Sequence, residues 1–349
     1  MTQSQEYAKT ASLNIFLVLP KAELHRHLEG SLRLESMLDI AREHGLTVPV
    51  SILRLSGLVQ MGDEESYSFS NFLEKFKTLR LFYRSPEVIA RITREAIEDA
   101  AHDNIRYMEL RFTPVALSRA ERFPLHDVMD WVCESANEAA KKFDIDVKLI
   151  ASVNRHESPE LAEQVAWLAA ARQNQGIVGL DIAGNEAEFS GKPFAPIFRE
   201  AKESGLKITV HAGEWGGAEN VREAIEVLGA DRIGHGVRVL EDENVVALAK
   251  ERGTVFEVCV TSNHQSGVVS SLEAHPLKKM MDAGLKTTLN TDDPSISRIS
   301  LSSEFQTAHE KLGISIASLK EQTYNAINAA FLTENDRQKL LQEFKKGLE

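Results

Sequence analysis

Short apolar runs alternate with longer amphipathic stretches along this chain, and that alternation limits the fold more than any other feature. The runs have the length of strands, and the stretches between them have helical periodicity, as in parallel strands joined by helical crossovers. Most runs are apolar throughout, as parallel strands covered on both faces should be. About eight runs predict an α/β fold, a (β/α)8 TIM barrel with extra helices. The predicted strands are Ala22–His25, Arg106–Phe112, Asp146–Val153, Ile177–Ala183, Lys207–His211, Arg232–His235, Val255–Val260 and Lys286–Asn290.

The size of the chain fits one barrel. Its 349 residues are 43% hydrophobic, which is ample for a large buried core. No low-complexity segment or Gly/Ser linker marks a second domain. We therefore expect residues 1–349 to form a single barrel domain. The helical stretches after Ser300 are expected to cover the barrel and to offer a surface for a homodimer.

One segment interrupts the alternation. Residues 51–84 separate the first helical stretch from the helix that leads to the second strand. Core packing would explain the large apolar side chains of this segment. An apolar lid over a pocket would also explain them, because the segment follows the first strand on the side of the barrel where active sites lie. The side chains, roughly at helical spacing, are Phe69, Phe72, Leu73, Phe76, Leu79 and Phe82.

Charge and cysteine content exclude several classes of protein. The net charge of −12 argues against a nucleic-acid-binding surface, which needs a basic stripe. Cys133 and Cys259 are expected to be buried free thiols, a state that fits a reducing cytoplasm. These two cysteines cannot supply the zinc site of cytidine-type deaminases. The apolar run at residues 14–19 is too short to span a membrane, and no basic cluster precedes it. We expect a cytoplasmic protein without a nucleic-acid or membrane partner.

Four short motifs of histidine and acidic residues each follow a predicted strand. Taken singly, each has an ordinary explanation as a packed histidine, a loop residue or a helix cap. The carboxyl ends of all barrel strands meet at one mouth, which is the catalytic face of this architecture, so the motifs are expected to converge there. They are His25-Arg26-His27, His211-Ala212-Gly213-Glu214, Gly234-His235-Gly236 and Thr291-Asp292-Asp293-Pro294.

These motifs supply the donors of a metal site. His25 and His27 are two residues apart at the end of an extended strand, so both imidazoles can face one ion. With His211 and Asp292 they form a set of three histidines and one aspartate, which leaves zinc an open position for water. Zinc lowers the pKa of such a water to about 7, and the set therefore predicts hydrolytic attack on an electrophilic carbon.

Other residues of the motifs are expected to act on the reactants. Glu214 follows His211 by three residues, so its carboxyl group can project over the substrate and protonate the atom that receives electrons. His235, between two glycines, is the expected base or electrostatic partner of the attacking water. Asp293 is expected to point its carboxyl group at a polar group of the ligand.

At this point the chain resembles the adenosine deaminases, specifically the bacterial type among the amidohydrolase-like barrels. The resemblance extends from Leu19-Pro20-Lys21 to the last helices. It implies one zinc ion per chain and a purine nucleoside as the small-molecule substrate. The matching pieces are His25-Arg26-His27-Leu28, Tyr107-Met108-Glu109-Leu110-Arg111-Phe112, Leu180-Asp181-Ile182-Ala183-Gly184, His211-Ala212-Gly213-Glu214, Arg232-Ile233-Gly234-His235-Gly236, Thr261-Ser262-Asn263 and Asn290-Thr291-Asp292-Asp293-Pro294.

The resemblance also implies a role for individual residues. Glu214 would protonate purine N1, and His235 would orient or deprotonate the attacking water. Asp293 would contact N7, and Gly184 would supply a backbone amide near N3. Water then adds at C6 and ammonia leaves, so that adenosine and 2′-deoxyadenosine give inosine and 2′-deoxyinosine. The residues expected to hold zinc are His25, His27, His211 and Asp292, and those expected to contact the substrate are His27, Glu29, Gly184 and Asp293.

One departure bears on the substrate. Adenosine deaminases usually have Asp at the position of Glu29, where the acid contacts the ribose 5′-hydroxyl, and adenine deaminases commonly have Glu. Gly234 and the segment Asp181-Ile182-Ala183-Gly184 nevertheless favour a nucleoside. Adenosine and 2′-deoxyadenosine are therefore the predicted substrates, with adenine or a larger derivative such as aminodeoxyfutalosine as the alternatives.

Two other classes of function remain open from the sequence. A two-metal barrel hydrolase of esters or amides would need a bridging carboxylated lysine at a strand end, and the predicted strands offer none there. A non-catalytic purine-binding barrel would not need the catalytic groups, all of which are present. Both are less favoured than a zinc-dependent deaminase.

Overall fold

The predicted strands form one parallel sheet in the computed structural model, which describes residues 15–49 and 51–348. Within those residues the sheet has eight strands, and each pairs with the next in chain order. The predicted (β/α)8 barrel is therefore confirmed. The strands are β1 (Lys21–His27), β2 (Ile105–Phe112), β3 (Asp146–Asn154), β4 (Ile177–Ala183), β5 (Lys207–Ala212), β6 (Arg232–His235), β7 (Val255–Val258) and β8 (Lys286–Leu289).

The ring closes between the residues that follow β8 and strand β1. The backbone N–H of Asp292 donates to the carbonyl of His25 at 2.9 Å, and the N–H of His27 donates to the carbonyl of Asp292 at 2.8 Å. The side-chain oxygen of Asn290 accepts from the N–H of Leu24 at 2.8 Å. These bonds place Asp292 directly beside the two histidines of β1.

Helices cover the outside of the barrel. Ser85 and Ser158 cap the N-termini of two of them, as the Ser-Pro-Glu pattern at each position predicts, because each hydroxyl accepts from the backbone N–H three residues on. The helices are α1 (Leu34–Glu43), α2 (Ile52–Val59), α3 (Phe69–Leu79), α4 (Pro86–His102), α5 (Pro114–Ser118), α6 (Leu125–Phe143), α7 (Pro159–Ala170), α8 (Ala195–Glu203), α9 (Ala218–Glu226), α10 (Glu243–Arg252), α11 (Val260–Gln265), α12 (Leu277–Asp282), α13 (Pro294–Ser297), α14 (Leu301–Leu312), α15 (Ile316–Ala329) and α16 (Glu334–Leu348).

The largest differences from the predicted strand ends at the mouth, two residues each, are in β1 and β7. Strand β1 continues through His27, so both histidines of the first motif lie inside the strand. Strand β7 ends at Val258, two residues before the predicted end, because helix α11 begins at Val260. Cys259 therefore follows the strand and does not belong to it, although it is a buried free thiol as predicted, like Cys133 on α6.

The segment at residues 51–84 contains two short helices, α2 and α3, inserted between α1 and α4. Two hydrogen bonds connect it to helix α13, which follows β8. The backbone N–H of Met61 donates to the carbonyl of Ile296 at 2.8 Å, and the side chain of Gln60 donates to the carbonyl of Ser295 at 2.9 Å. No helix within residues 15–49 and 51–348 is long and apolar enough to cross a membrane.

Candidate metal centre and active site

Four side chains from three parts of the barrel meet at its mouth. His25 and His27 come from β1, His211 from β5 and Asp292 from the loop after β8. One ligand atom of each lies within 4.8 Å of a ligand atom of every other. The Nε2 atoms of His25 and His27 are 3.2 and 3.3 Å from Oδ1 of Asp292, and the Nε2 atoms of His27 and His211 are 3.2 Å apart.

This donor set fits a metal ion. Three imidazole nitrogens and one carboxylate oxygen converge on one small volume, and zinc accepts these atom types. Two of the imidazoles have a carboxylate behind them: Nδ1 of His25 donates to Glu257 at 2.9 Å, and Nδ1 of His211 donates to Asp181 at 3.1 Å. A carboxylate can only accept, so each Nδ1 carries the hydrogen and leaves Nε2 free to bind the ion.

Buried charges beneath the site keep these carboxylates ionised. Arg111 donates to Glu257 at 2.7 Å, and Arg232 donates to the other oxygen of Glu257 at 2.5 Å. Burial alone would raise the pKa of Glu257, but the two arginines hold that pKa well below its usual range. Arg111 and His211 act in the same way on Asp181, whose pKa lies below its usual range despite complete burial.

No role is predicted from the sequence for the residues that support the metal site. Glu257 and Asp181 each interrupt an apolar strand, and a lone acid inside a buried parallel strand needs a charged or hydrogen-bonding partner. That signal was available in the sequence. The hydroxyl of Ser262, which lies on the short helix α11, donates to Oδ2 of Asp292 at 2.6 Å, and no pattern in the sequence predicts this contact.

Glu214 and His235 lie against the metal-binding cluster. Their side chains are 5% and 1% exposed, and Oε2 of Glu214 is 3.6 Å from Nε2 of His235. Burial, reinforced by the charge of Asp292, raises the pKa of Glu214 well above its usual range, so the acid holds its proton at neutral pH. Burial lowers the pKa of His235 well below its usual range, and the imidazole is neutral.

A hydrogen bond fixes the ring of His235. Asn263 donates to its Nδ1 at 3.1 Å, and the side-chain oxygen of Asn263 accepts from His275 at 3.1 Å. With Nδ1 accepting, a neutral His235 carries its hydrogen on Nε2, the atom that faces the cluster. His235 is therefore prepared to donate a hydrogen bond there.

Unusual backbone conformations accompany the close approach of these groups. His235 and Asp292 have left-handed φ angles of 61° and 65°. Residues other than glycine adopt this region at a cost, and such strain is typical of functional sites. A Cβ atom at Gly234 would lie 2.8 Å from the His25 ring. Glycine at this position therefore leaves room for His25 on β1 beside His235 on β6.

The residues expected to contact the substrate line the cavity beside the cluster. Asp293 and Glu29 are 3% and 4% exposed, and each has one side-chain oxygen without a hydrogen-bond partner among the described residues. Burial raises the pKa of both, and Asp292 adds to the effect on Asp293. The other oxygen of Glu29 accepts from the N–H of Thr113 at 2.5 Å. Gly184, with a φ of 95°, also lines the cavity.

Apolar side chains of the 51–84 segment complete the wall of the cavity. Phe72, Leu73 and Phe76 on α3 line it together with Arg80. Phe69 packs edge-on against Trp215, with ring centroids 4.0 Å apart, so the segment contacts the turn that carries Glu214. These contacts are consistent with a lid, whose movement remains a prediction.

Comparisons with known proteins show the family of this chain. The family model described as adenosine deaminase matches residues 20–347. An adenosine deaminase from Klebsiella pneumoniae is 36% identical over 331 residues, which cover 94% of this chain and 98% of that relative. An adenine deaminase from Arthrobacter aurescens has a similar structure, with a TM-score of 0.87 and 27% identity over 94% of this chain and 98% of that one.

A zinc-bound amidohydrolase from Burkholderia ambifaria is also similar, with a TM-score of 0.88 and 27% identity over 96% of this chain and 92% of that one. The family match spans nearly the whole chain, and its members are metal-dependent hydrolytic deaminases. The chain belongs to the adenosine deaminase family.

Proposed function

We propose that this chain converts adenosine and 2′-deoxyadenosine to inosine and 2′-deoxyinosine, with one zinc ion held by His25, His27, His211 and Asp292. The observation that carries the proposal is the position of Glu214, whose buried carboxyl group, with a raised pKa, lies beside that cluster. The names of the similar proteins, adenosine deaminase and adenine deaminase, support adenine compounds as the substrate class. The zinc in one similar structure supports the choice of metal.

A zinc ion held by these four residues would supply Lewis-acid activation of a water molecule. Glu214 supplies the proton that purine N1 needs, because addition of water at C6 pushes electrons onto N1. A carboxylic acid at that atom stabilises the transition state more than the ground state. His235 orients the water through the hydrogen on Nε2. Of the two protons of the water, one restores the acid form of Glu214 and the other passes to the exocyclic amino group, so that the C6–N bond breaks and ammonia leaves.

Other residues position the purine. Burial and the charge of Asp292 raise the pKa of Asp293, which favours its protonated form, and that form can donate a hydrogen bond to N7, which only accepts. The backbone N–H of Gly184 is available for N3. Glu29, whose second oxygen has no partner among the described residues, is available for a ribose hydroxyl. The substrate would thus satisfy polar atoms that the protein leaves unpaired.

The first test replaces Glu214 with Gln and follows the loss of the adenosine absorbance band as inosine forms. Turnover should fall by about a thousandfold, within the roughly 10²–10⁴-fold range of general acid catalysis. Zinc content should stay at one per chain, because Glu214 is not in the ligand set. The control is Glu226→Gln, an exposed acid on α9, which should retain full activity. Full turnover in Glu214→Gln would refute the assigned role.

Arg80 favours a second candidate function, deamination of an adenosine derivative that carries an anionic group. This half-buried arginine lines the cavity close to Glu29, yet no carboxylate within residues 15–49 and 51–348 forms a salt bridge with it. A guanidinium group that lines a cavity and is not engaged in a salt bridge is suited to an anion on the ligand.

A substrate panel separates the two candidates. The wild-type protein is compared with Arg80→Met, which keeps an unbranched apolar stem and removes the charge. The substrates are adenosine, 2′-deoxyadenosine, adenine, AMP and aminodeoxyfutalosine. If Arg80 binds an anion, kcat/KM for AMP should fall by about tenfold or more, since a hydrogen bond to a charged group contributes about 1.5–3 kcal/mol. Activity on adenosine should change little. Equal losses on AMP and adenosine would reject the second candidate.

A further inference from the structure

The carboxylate of Glu186 binds the backbone of the turn that carries Glu214. Glu186 follows β4 and is 5% exposed. Its Oε2 accepts from the N–H of Gly213 at 2.9 Å. Its Oε1 accepts from the N–H of Glu214 at 2.7 Å and from the N–H of Trp215 at 2.9 Å. One side chain thus satisfies three consecutive backbone donors.

Two further contacts make the arrangement around this turn rigid. The side chain of Asn220, on α9, donates to the carbonyl of Glu186 at 3.0 Å. Arg155 donates to the carbonyl of His211 at 2.7 Å and is close enough to Glu186 for their charges to interact. Hydrogen bonds from backbone N–H groups to an ionised carboxylate are stronger than neutral ones, so this turn is held more firmly than an ordinary loop.

We propose that Glu186 is a positioning residue for the reaction, which fixes the backbone of Glu214 so that its carboxyl group faces the substrate and the metal cluster. The inference rests on the proposed function, in which Glu214 is the general acid. Glu186 itself does not line the cavity and is therefore not a catalytic residue. It acts through the three N–H groups that it holds.

The support of Glu214 is separate from the support of the metal ligands. Asp181, Glu257 and Ser262 hold the ligand side chains, whereas Glu186 holds the backbone at residues 213–215. Loss of the Glu186 carboxylate should therefore impair the proton transfer and leave zinc binding intact. The charge of Glu186 also helps to raise the pKa of Glu214, after burial and the charge of Asp292.

The decisive variant is Glu186→Gln. Its single carbonyl oxygen can accept from Glu214 and Trp215, but the amide nitrogen, a donor, then faces the N–H of Gly213, and the turn must shift. We expect kcat to fall by about 10- to 100-fold, because a displacement of about 1 Å can cost roughly 10²-fold. KM and zinc content should stay near the wild-type values. The control is Glu188→Gln, an exposed acid in the same loop, which should behave as wild type.

A double-mutant cycle with Glu214→Gln distinguishes positioning from a general structural role. If Glu186 acts through Glu214, adding Glu186→Gln to Glu214→Gln should cause no further loss of kcat. Additive losses, or wild-type kcat in Glu186→Gln alone, would overturn the proposal. The cycle uses the adenine compound that the wild-type protein deaminates fastest, so a wrong choice of substrate would leave the test intact.

Folding is checked by the melting temperature and by the zinc content of each variant. Should Glu186→Gln fail to fold, Glu186→Asp replaces it, since it keeps the charge but is one methylene too short to reach all three N–H groups. A reduced kcat in Glu186→Asp that disappears in the Glu214→Gln background would support the proposal. A wild-type kcat in Glu186→Asp would overturn it.

Discussion

The two ends of the cavity are built in different ways. At the metal end, the side chains lie on barrel strands or on the turns directly after them, and hydrogen-bonded acids hold His25 and His211 from behind. At the other end, the wall consists of Phe72, Leu73 and Phe76 on a short inserted helix, which offer only apolar contact. The polar side chain at that end, Arg80, has no salt bridge within residues 15–49 and 51–348.

This difference assigns different tasks to the two ends. The reaction requires groups held within fractions of an ångström, and interlocked hydrogen bonds on rigid strands supply that accuracy. Selection of the substrate requires shape and room for entry, which an apolar cover on an inserted segment can supply. Variants at the metal end should therefore alter zinc affinity or kcat, and variants at the cover should alter KM.

Of the effects that we predict from comparing the two ends of the cavity, the largest is a loss of zinc affinity at the metal end. Asp181→Asn keeps an acceptor for Nδ1 of His211 but removes the charge that Arg111 and His211 stabilise. Loss of such a supporting carboxylate typically weakens metal binding by about 10–100-fold. Zinc affinity is measured by competition with a chelator, and Asp144→Asn, at an exposed helix end, serves as the control. Unchanged zinc affinity would mean that the ligand residues alone determine the site.

Much of this arrangement could be predicted from the sequence, because strand periodicity locates the barrel and the motifs follow strand ends. That argument alone predicts that one mouth of the barrel holds His25, His211 and Asp292, and the structure brings these three residues together there. The hydrogen bonds that Glu186 accepts from the N–H groups of residues 213–215 could not be predicted, since backbone donors leave no trace in the residue types. The left-handed φ of Asp292 could not be predicted either, because the hydrogen bonds that close the barrel impose the local conformation there.

The pH dependence tests Glu214, which lies where the two ends meet. Its pKa is raised, so the acid is protonated at neutral pH and loses its proton as the pH rises through that value. We expect kcat/KM to fall on the alkaline side by about tenfold per pH unit. The lowered pKa of His235 keeps it neutral as the pH falls, so His235 should not cause a loss near neutrality.

The matched measurement compares adenosine with 2′-deoxyadenosine over the same pH range. Both substrates should show the alkaline decline at the same pH, since the titrating group belongs to the free enzyme. An activity that rises steadily with pH would show that Glu214 acts as a carboxylate, and the division of roles between the two ends would need revision.

The smallest effect is predicted at the cover. Phe76→Ala removes part of the apolar wall and changes none of the residues at the metal end. Losing that contact should cost roughly 1 kcal/mol of substrate binding, which is about fivefold in KM. The value of kcat should stay within about twofold, because Glu214 and the metal ligands keep their own supports. Leu53→Ala, on an 84% exposed side chain of the same segment, is the control. If Phe76→Ala lowered kcat more than it raised KM, the cover would take part in aligning the reacting groups, through the contact between Phe69 and Trp215.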